Sequence, residues 1–259
     1  MAQSTGAGSK GAIRRRAAAR KQQQRRKSGK LYFDWPLAGR TALRLVGGGI
    51  FLSILWTVLY LVVPVPGTTQ MGLRALQGQE VRHDWVPLDE ISPHLVRAVI
   101  ASEDSKFCHH FGFDMEQIRL AWQDVQAGSG WRGASTISQQ TAKNAFLWNG
   151  RDPVRKLAEA YFTALAELIW PKRRVMEVYL NVAEWGDGLF GAEAAAQGRF
   201  GKSASELTAY EASLLAAVLP SPNKWSANPP GPYVARQSGT IRARMAVVRN
   251  EGLDACVLN

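Results

Sequence analysis

The sequence predicts a mainly α-helical protein that carries one membrane-spanning helix near its N-terminus. None of residues 45–65 is charged. Elsewhere in the chain, apolar residues recur at helical spacing, and convincing β-strand alternation is absent. At 1.5 Å per residue, these 21 residues reach about 30 Å, the thickness of the hydrocarbon core of a bilayer. Roughly 190 residues follow, which suits one domain with its own core.

The formal net charge of +11 is concentrated at the N-terminus. Residues 1–44 hold twelve of the 32 Lys and Arg but one of the 21 Asp and Glu, so the rest of the chain is neutral overall. A nucleic-acid-binding protein would carry its basic surface on the folded domain, so no nucleic-acid partner is expected. A basic segment beside an apolar one is typical of contact with anionic lipid headgroups.

These patterns divide the chain into three segments. Residues 1–40 are predicted to be a disordered basic tail on the cytoplasmic side, because their composition buries too little apolar surface to fold. Residues 41–65 are predicted to be the transmembrane helix, and residues 66–259 a domain outside the cytoplasm, since basic residues accumulate on the cytoplasmic side. A cleaved signal peptide would have a shorter apolar region and a small-residue cleavage site, so an uncleaved anchor is favoured.

Seven helices are predicted after the anchor, from apolar spacing, from Pro in first turns and from Gly or Pro at ends. They cover residues 88–103, 116–127, 153–170, 173–183, 191–199, 205–219 and 234–250. Ser205 is predicted to cap the sixth of them.

The chain has two cysteines, Cys108 and Cys256. A disulfide between them is an open alternative in an oxidising compartment, but two cysteines make no disulfide framework. Because Cys is often buried without bonding, two unpaired thiols are the favoured interpretation.

A first cluster of reactive residue types runs from 103 to 112, at the end of a predicted helix. Glu103 follows apolar helix positions, so partial burial would raise its pKa towards that of a working general base. From this stretch alone, however, a solvated acid at a helix end is the favoured interpretation. Metal binding through His109 and His110 is not favoured, because adjacent helical histidines point in different directions and no second ligand pair has metal spacing.

A second cluster, residues 133–140, is a dense run of neutral hydrogen-bonding groups and is followed by Lys143 and Asn144. Such a set can bind sugar hydroxyls and a phosphate. It is equally compatible with a polar loop that leads into a helix N-cap.

A third cluster combines Arg155 and Lys156 with Glu159. Arg155 and Glu159 are four residues apart and therefore lie on one helix face. The pattern fits either a surface ion pair or a cationic site for a diphosphate.

In a fourth cluster, Arg173, Glu177 and Asn181 recur at every fourth residue and form one stripe, for which a structural role is favoured. Elsewhere, Ser221 and Lys224 match the Ser-x-x-Lys motif of penicillin-type acylation. That match is interpreted as coincidence, because prolines break the helix it needs and no Lys-Thr-Gly follows.

Together the four clusters resemble, in order and spacing, the peptidoglycan glycosyltransferase family (glycosyltransferase family 51). The resemblance covers about residues 86–230, and residues 181–188 are similar to its monofunctional biosynthetic members. It implies a lysozyme-like fold with a large lobe and a small membrane-facing jaw. It also implies a bacterial inner-membrane protein with a periplasmic catalytic domain, lipid II as substrate and undecaprenyl diphosphate as leaving group.

The resemblance implies roles for single residues. Glu103 becomes the general base on the acceptor 4-hydroxyl, and Glu159 the second essential acid near the leaving diphosphate. Lys143 and Arg155 become phosphate partners, with Lys156 as a weaker candidate. The other predicted substrate-binding residues are Asp104, Phe107, His110, Ser135, Thr136, Gln140 and Asn144, and the predicted supporting residues are Glu177, Tyr179 and Asn181.

The implied reaction transfers a lipid-linked growing glycan to the 4-hydroxyl of lipid II. A sugar diphosphate already has a good leaving group, so the protein needs a base and cations. By analogy with inverting glycosidases, the two carboxylates are expected to be roughly 6.5 Å or more apart. No metal site is predicted, and assistance of the diphosphate by Mg²⁺ or Mn²⁺ stays open.

Expected partners are lipid II, the lipid-linked glycan and membrane lipids, with penicillin-binding proteins and division proteins as candidate protein partners. One alternative function is a lytic transglycosylase or muramidase-like hydrolase, which would not need phosphate-binding cations. The other is a non-enzymatic membrane scaffold of the wall-synthesis machinery, which would not need Glu103 and Glu159.

A jaw that meets the membrane should expose apolar side chains. Several of the large apolar residues that flank the first two clusters are expected to do so, although ordinary core packing is the alternative for each one. They are Phe111, Phe113, Leu120, Trp122, Trp131, Phe146, Leu147 and Trp148.

Overall fold

A computed structural model describes residues 16–17, 19–21, 35–128, 133, 135–150 and 152–259. The chain is mainly α-helical, which confirms the predicted fold class. It divides into two compact units, residues 1–52 and Ser53–Asn259. Most of the predicted disordered tail, and Trp131, lie outside the described residues.

Helix α1 spans Trp35–Val62. Its Gly39–Val62 portion is long and apolar enough to cross a membrane, and among the described residues no other helix meets that criterion. In the first unit, its side chains from residue 39 onward are exposed. In the second unit, its last turns join the core, where Thr57 is fully buried and Trp170 Nε1 donates to the Thr57 carbonyl at 2.8 Å.

The second unit consists of helices around a small sheet. The helices are α2 Thr69–Leu76, α3 Pro93–Glu103, α4 Met115–Gln126, α5 Ile137–Phe146, α6 Pro153–Ile169, α7 Lys172–Val182, α8 Ala192–Phe200, α9 Ala209–Val218, α10 Pro232–Asn250 and α11 Ala255–Leu258. The strands are β1 Arg82–His83, β2 Glu184–Gly186 and β3 Leu189–Phe190. Their order is β1-β3-β2, with β1 parallel and β2 antiparallel to β3.

Two predicted helices begin later than expected. The segment from residue 88 forms a 3-10 turn, Leu88–Glu90, and α3 starts only at Pro93, because a proline is suited to the first turn and ends any preceding one. The segment from residue 205 is likewise a 3-10 turn. Thr208, not Ser205, caps α9, because Thr208 and Glu211 form a capping box.

Helices α2, α5 and α11 and the three strands were not among the predicted elements. The strands are two or three residues long, too short to show alternation. Helix α5 begins inside the polar second cluster. There Thr136 accepts a hydrogen bond from the Gln139 backbone, and the Gln139 side chain accepts one from the Thr136 backbone.

The buried face of α3 sets the position of its C-terminal residue. Helix α3 packs against α9 and α10, and α5 packs against α6 and α7. Leu95, Val96, Val99 and Ile100 of α3 are fully buried. Because the helix ends directly after them, Glu103 lies at the edge of the core.

Cys108 and Cys256 form a disulfide with a Cα–Cα distance of 5.6 Å, so the favoured interpretation of two unpaired thiols is wrong. The bond joins the 3-10 turn after α3 to α11. Packing brings these distant cysteines together, since Val257 of α11 is fully buried and Arg173 Nη1 donates to its carbonyl at 2.9 Å. Asp254, just before α11, pairs with Arg97 at 2.6 Å.

The side chain of Asn181, on α7, hydrogen-bonds to the segment that precedes α3. Loss of this side chain is expected to destabilise the domain. The Asn181 side chain is fully buried, accepts from the Val86 amide at 3.0 Å and donates to the Val86 carbonyl at 2.9 Å. Asn181→Ala leaves these buried groups unpaired, so we expect a loss of about 1–3 kcal/mol in the free energy of unfolding. Thermal denaturation of the purified protein measures it. Exposed Gln123→Ala is the control, and equal melting of the two variants would contradict the prediction.

Candidate active site

Glu103 is the last residue of α3 and is half-buried. Gln140 Nε2 of α5 donates to its Oε2 at 2.8 Å. The Tyr179 hydroxyl of α7 in turn donates to Gln140 Oε1 at 3.3 Å. Burial raises the pKa of Glu103, and the hydrogen bond from Gln140 opposes that rise. Three helices therefore position an acid whose pKa is raised, as is typical of a general base.

Asp104 joins the first cluster to the second. Its buried carboxylate accepts from the Ile137 amide at 3.1 Å and lies 2.9 and 3.0 Å from His110 Nε2. Thr136 Oγ1 also donates to the Gly112 carbonyl at 2.6 Å. Gly112 has a φ of +78°, and an added Cβ would lie 2.8 Å from Thr163, so this connection requires glycine.

The third cluster is a buried ion-pair network on α6. Arg155 Nη1 lies 2.6 Å from Glu159 Oε2, and Lys156 contacts the other carboxylate oxygen. Arg155 and Glu159 are both buried, whereas the Lys156 side chain is half exposed. The alternative of a surface ion pair is therefore wrong for Arg155 and Glu159.

Lys143 of α5 connects this network to Glu103. Burial lowers the pKa of Lys143, Glu159 and Glu103 act to raise it, and Arg155 and Lys156 act to lower it further. Lys143 therefore lies within electrostatic range of each of the other four side chains. The structure thus places both predicted catalytic acids and the other two predicted phosphate partners around Lys143.

Two cavities adjoin this group. A cleft of about 500 Å³ is lined by Glu103 and by predicted residues Asp104, Ser135 and Thr136. A second cavity of about 200 Å³ is lined by Gln140, Lys143, Asn144 and Tyr179. Gln140 lines the second cavity and hydrogen-bonds to Glu103, which lines the first, so the two cavities are adjacent at this pair.

Two of the predicted substrate-binding residues, Phe107 and His110, contact other protein side chains and do not line the cleft. Phe107 is fully buried beneath the Lys172 ammonium, 4.5 Å from the ring centroid, so the expectation of direct substrate contact is wrong for it. His110 is half-buried against Asp104. This contact orients Asp104, and contact of His110 with substrate stays a prediction.

The stripe along α7 contacts residues 86–89. Arg173 Nη2 lies 2.6 Å from Asp89 Oδ1, and Glu177 Oε2 accepts from the Leu88 amide at 3.3 Å. Asn181 hydrogen-bonds to the Val86 backbone, as described above. The three stripe residues thus fix the position of the segment that leads into α3.

Sequence reasoning missed several residues that line the Glu103 cleft, among them Asp114, Gln117 and Arg244. Asp114 caps α4 through the amides of Glu116 and Gln117, which was a usable signal. Arg244 belongs to an Arg-rich helix whose cleft-facing side only the packing reveals. Within the described residues, no group of three or more His, Cys, Asp or Glu side chains is arranged to hold a metal ion.

The predicted jaw residues divide into three groups. Phe111, Trp122 and Trp148 are exposed, and Phe113 and Leu120 are half-buried. Phe146 and Leu147 are buried, so the alternative of ordinary core packing holds for both. The Phe146 ring stacks on Phe162 with centroids 4.6 Å apart, which explains its burial.

The chain was compared with known proteins. A family model described as Transglycosylase matches residues 70–250. The chain is 54% identical over 224 residues to the biosynthetic peptidoglycan transglycosylase of Rhodospirillum centenum, covering 86% of this chain and 96% of that protein. It is 52% identical over 200 residues to the protein of the same name from Caulobacter vibrioides, covering 77% and 87%. The arrangement of acids and cations around the cleft thus lies within a region shared with these relatives, and the chain belongs to the peptidoglycan transglycosylase family, glycosyltransferase family 51.

Proposed function

We propose that this protein polymerises the glycan strands of peptidoglycan. It transfers the lipid-linked growing glycan to the 4-hydroxyl of lipid II and releases undecaprenyl diphosphate. Membership of the transglycosylase family supports the reaction class. The observation that carries the mechanism is the half-buried Glu103 near Lys143, which itself lies near Arg155 and Lys156.

In the proposed step, Glu103 removes the proton from the acceptor 4-hydroxyl. The oxygen forms a bond to the donor's anomeric carbon while the bond from that carbon to the diphosphate oxygen breaks. The electron pair leaves with the diphosphate, and the proton stays on Glu103. A base with a raised pKa is well matched to this task near neutral pH.

The cations stabilise the charge that develops on the leaving diphosphate. Glu159 is ion-paired to Arg155 and Lys156, so its role is to hold both cations in place rather than to transfer a proton. Lys143 is half-buried and forms no ion pair among the described residues, which leaves its ammonium available for a phosphate oxygen.

One assay separates this function from its two rivals. Purified protein is incubated with radiolabelled lipid II, or with preformed glycan, and the products are separated by size. Long strands from lipid II support the polymerase. Shortening of preformed glycan would indicate the lytic enzyme, and no change in either substrate would indicate a scaffold.

The protein is proposed to be a single-pass inner-membrane protein with residues 66–259 in the periplasm. Helix α1 has the length and composition to cross a membrane. Basic residues 1–40 then lie in the cytoplasm. The Cys108–Cys256 disulfide independently supports an oxidising compartment for the domain.

The domain is further proposed to enter the outer leaflet along α6. Tyr161 of α6 hydrogen-bonds to Ser53 at 2.6 Å, and Ser53 precedes the end of α1 by nine residues, or about 13 Å of helix. Val154, Leu157 and Leu168 extend this side of α6 and are at least 70% exposed. An exposed apolar stripe on the helix that contacts Ser53 is suited to lipid.

We expect a nitroxide spin label at Leu157→Cys to lie within the hydrocarbon of reconstituted vesicles. Its relaxation should then respond more to dissolved oxygen than to a water-soluble nickel complex. Thr240→Cys, on exposed α10, is the matched control and should show the opposite preference. Equal nickel accessibility at both positions would contradict insertion of α6.

A further inference from the structure

Helix α10 presents two different faces on either side of a buried stripe. The stripe consists of Val234, Ser238, Ile241, Met245 and Val248. On one flank, Arg244 and Val247 line the cleft that contains Glu103. On the other flank, Arg242 and Arg249 line a separate cavity. Two arginines only two residues apart therefore face different surroundings.

Arg244 is the one Lys or Arg among the described residues that line the Glu103 cleft. It is exposed, and no described acidic side chain forms an ion pair with it. Arg97 and Arg173, by contrast, are each paired with an aspartate. Arg244 thus presents an uncompensated positive charge to the cleft.

This charge is separate from the cations assigned to the diphosphate. Lys143 lines the second cavity, and Arg155 and Lys156 are bound to Glu159 on α6. These three cations already suffice to bind the single diphosphate of the donor. Arg244 is therefore available for a second anion on the acceptor side, where Glu103 meets the attacking hydroxyl.

The side of the cleft that carries Arg244 is formed by α10, and the segment that follows α10 is fixed to the rest of the domain. Leu253 also lines the cleft, and the next residue, Asp254, pairs with Arg97. The disulfide at Cys256 then ties this segment to the turn that follows Glu103. Residues 251–259 lie beyond the part of the chain that the family model matches, so this support belongs to a region outside that match.

We propose that Arg244 binds a carboxylate of the peptide carried by the incoming lipid-linked disaccharide. This inference rests on the proposed function, because the peptide of a peptidoglycan precursor places free carboxylates close to the acceptor sugar. A guanidinium binds a carboxylate through two parallel hydrogen bonds. The cleft of about 500 Å³ also exceeds the space of a single sugar ring, and Ser135 and Gln117 add groups that can bond to peptide amides.

The test compares two lipid-linked disaccharides that differ only in whether the peptide carboxylates are free or converted to amides. A preformed lipid-linked oligomer serves as donor at fixed concentration, and KM and kcat are measured for each acceptor. The wild type should show a KM about tenfold lower for the acceptor with free carboxylates. Arg244→Gln should abolish that preference by raising the KM of this acceptor alone, and Arg244→Lys should restore part of it.

Arg242→Gln, on the opposite flank of the same helix, is the matched control and should retain the wild-type preference. An Arg244→Gln variant that keeps the preference, or that loses kcat equally with both acceptors, would overturn the assignment. Failure of the wild type to elongate either acceptor would instead overturn the proposed function, and this inference with it. Since Arg244 is exposed, an unchanged melting temperature separates these outcomes from misfolding.

Discussion

Glu103→Gln is expected to lower the rate of glycan polymerisation by roughly 10²–10⁴-fold, the usual contribution of a general base. Glutamine preserves the size of the side chain but cannot accept the proton of the acceptor hydroxyl. The loss should appear in kcat, because the donor cations on α6 are untouched. Strand synthesis from radiolabelled lipid II measures it, and exposed Glu90→Gln is the matched control.

The pH dependence of the rate tests the same assignment in the wild type. Glu103 acts as a base only when deprotonated, so the rate should fall as pH decreases through its pKa. Burial raises that pKa above its ordinary value, so the acid limb of the profile should lie above the range of an ordinary glutamate. Gln140→Leu removes the hydrogen bond that opposes the rise and should move this limb to higher pH.

Stability should respond in the opposite sense to activity. An acid with a raised pKa in the folded state contributes favourably at low pH, and that contribution is lost as pH rises through the folded pKa. At neutral pH the buried Glu103 carboxylate therefore costs stability, and Glu103→Gln should melt no lower than the wild type. Inactivity together with a lowered melting temperature would instead indicate a folding defect.

Local sequence signals sufficed where the determining contacts are local. The uncharged run predicted the membrane-crossing helix, and Pro153 with the apolar residues after it predicted α6 almost to the residue. The approach of Glu103 and of Glu159 to Lys143 followed from the resemblance of four motifs, not from the spacing within any one of them. Single motifs left a solvated acid and a surface ion pair open.

The features that escaped prediction depend on packing between distant segments. Phe107 stands in a motif with Glu103, but α7 places Lys172 over its ring and closes it off from the cleft. Which arginine of α10 faces the cleft is decided by the buried stripe against α3 and α9, and a stripe on a helix rich in Arg and Ala is weakly marked in the sequence. Cys108 and Cys256 are 148 residues apart, so nothing local indicates their pairing.

Replacing both cysteines, Cys108→Ser with Cys256→Ser, is expected to lower the free energy of unfolding by about 2–4 kcal/mol. The disulfide closes a loop of 148 residues and thereby restricts the unfolded chain. In the folded state it holds α11 beneath the turn that follows Glu103. Asp254 and Val257 retain their contacts with Arg97 and Arg173, so the variant should fold and melt at a lower temperature.

A thiol reductant separates the disulfide from the side effects of substitution. Reduction should lower the melting temperature of the wild type towards that of the double variant and should leave the double variant unchanged. Because Leu253 lines the Glu103 cleft three residues before Cys256, the reduced protein should also lose polymerase activity at a lower temperature than the oxidised protein. Equal melting of the oxidised wild type and the double variant would show that burial of Val257 and the Arg97–Asp254 pair suffice to hold this wall of the cleft.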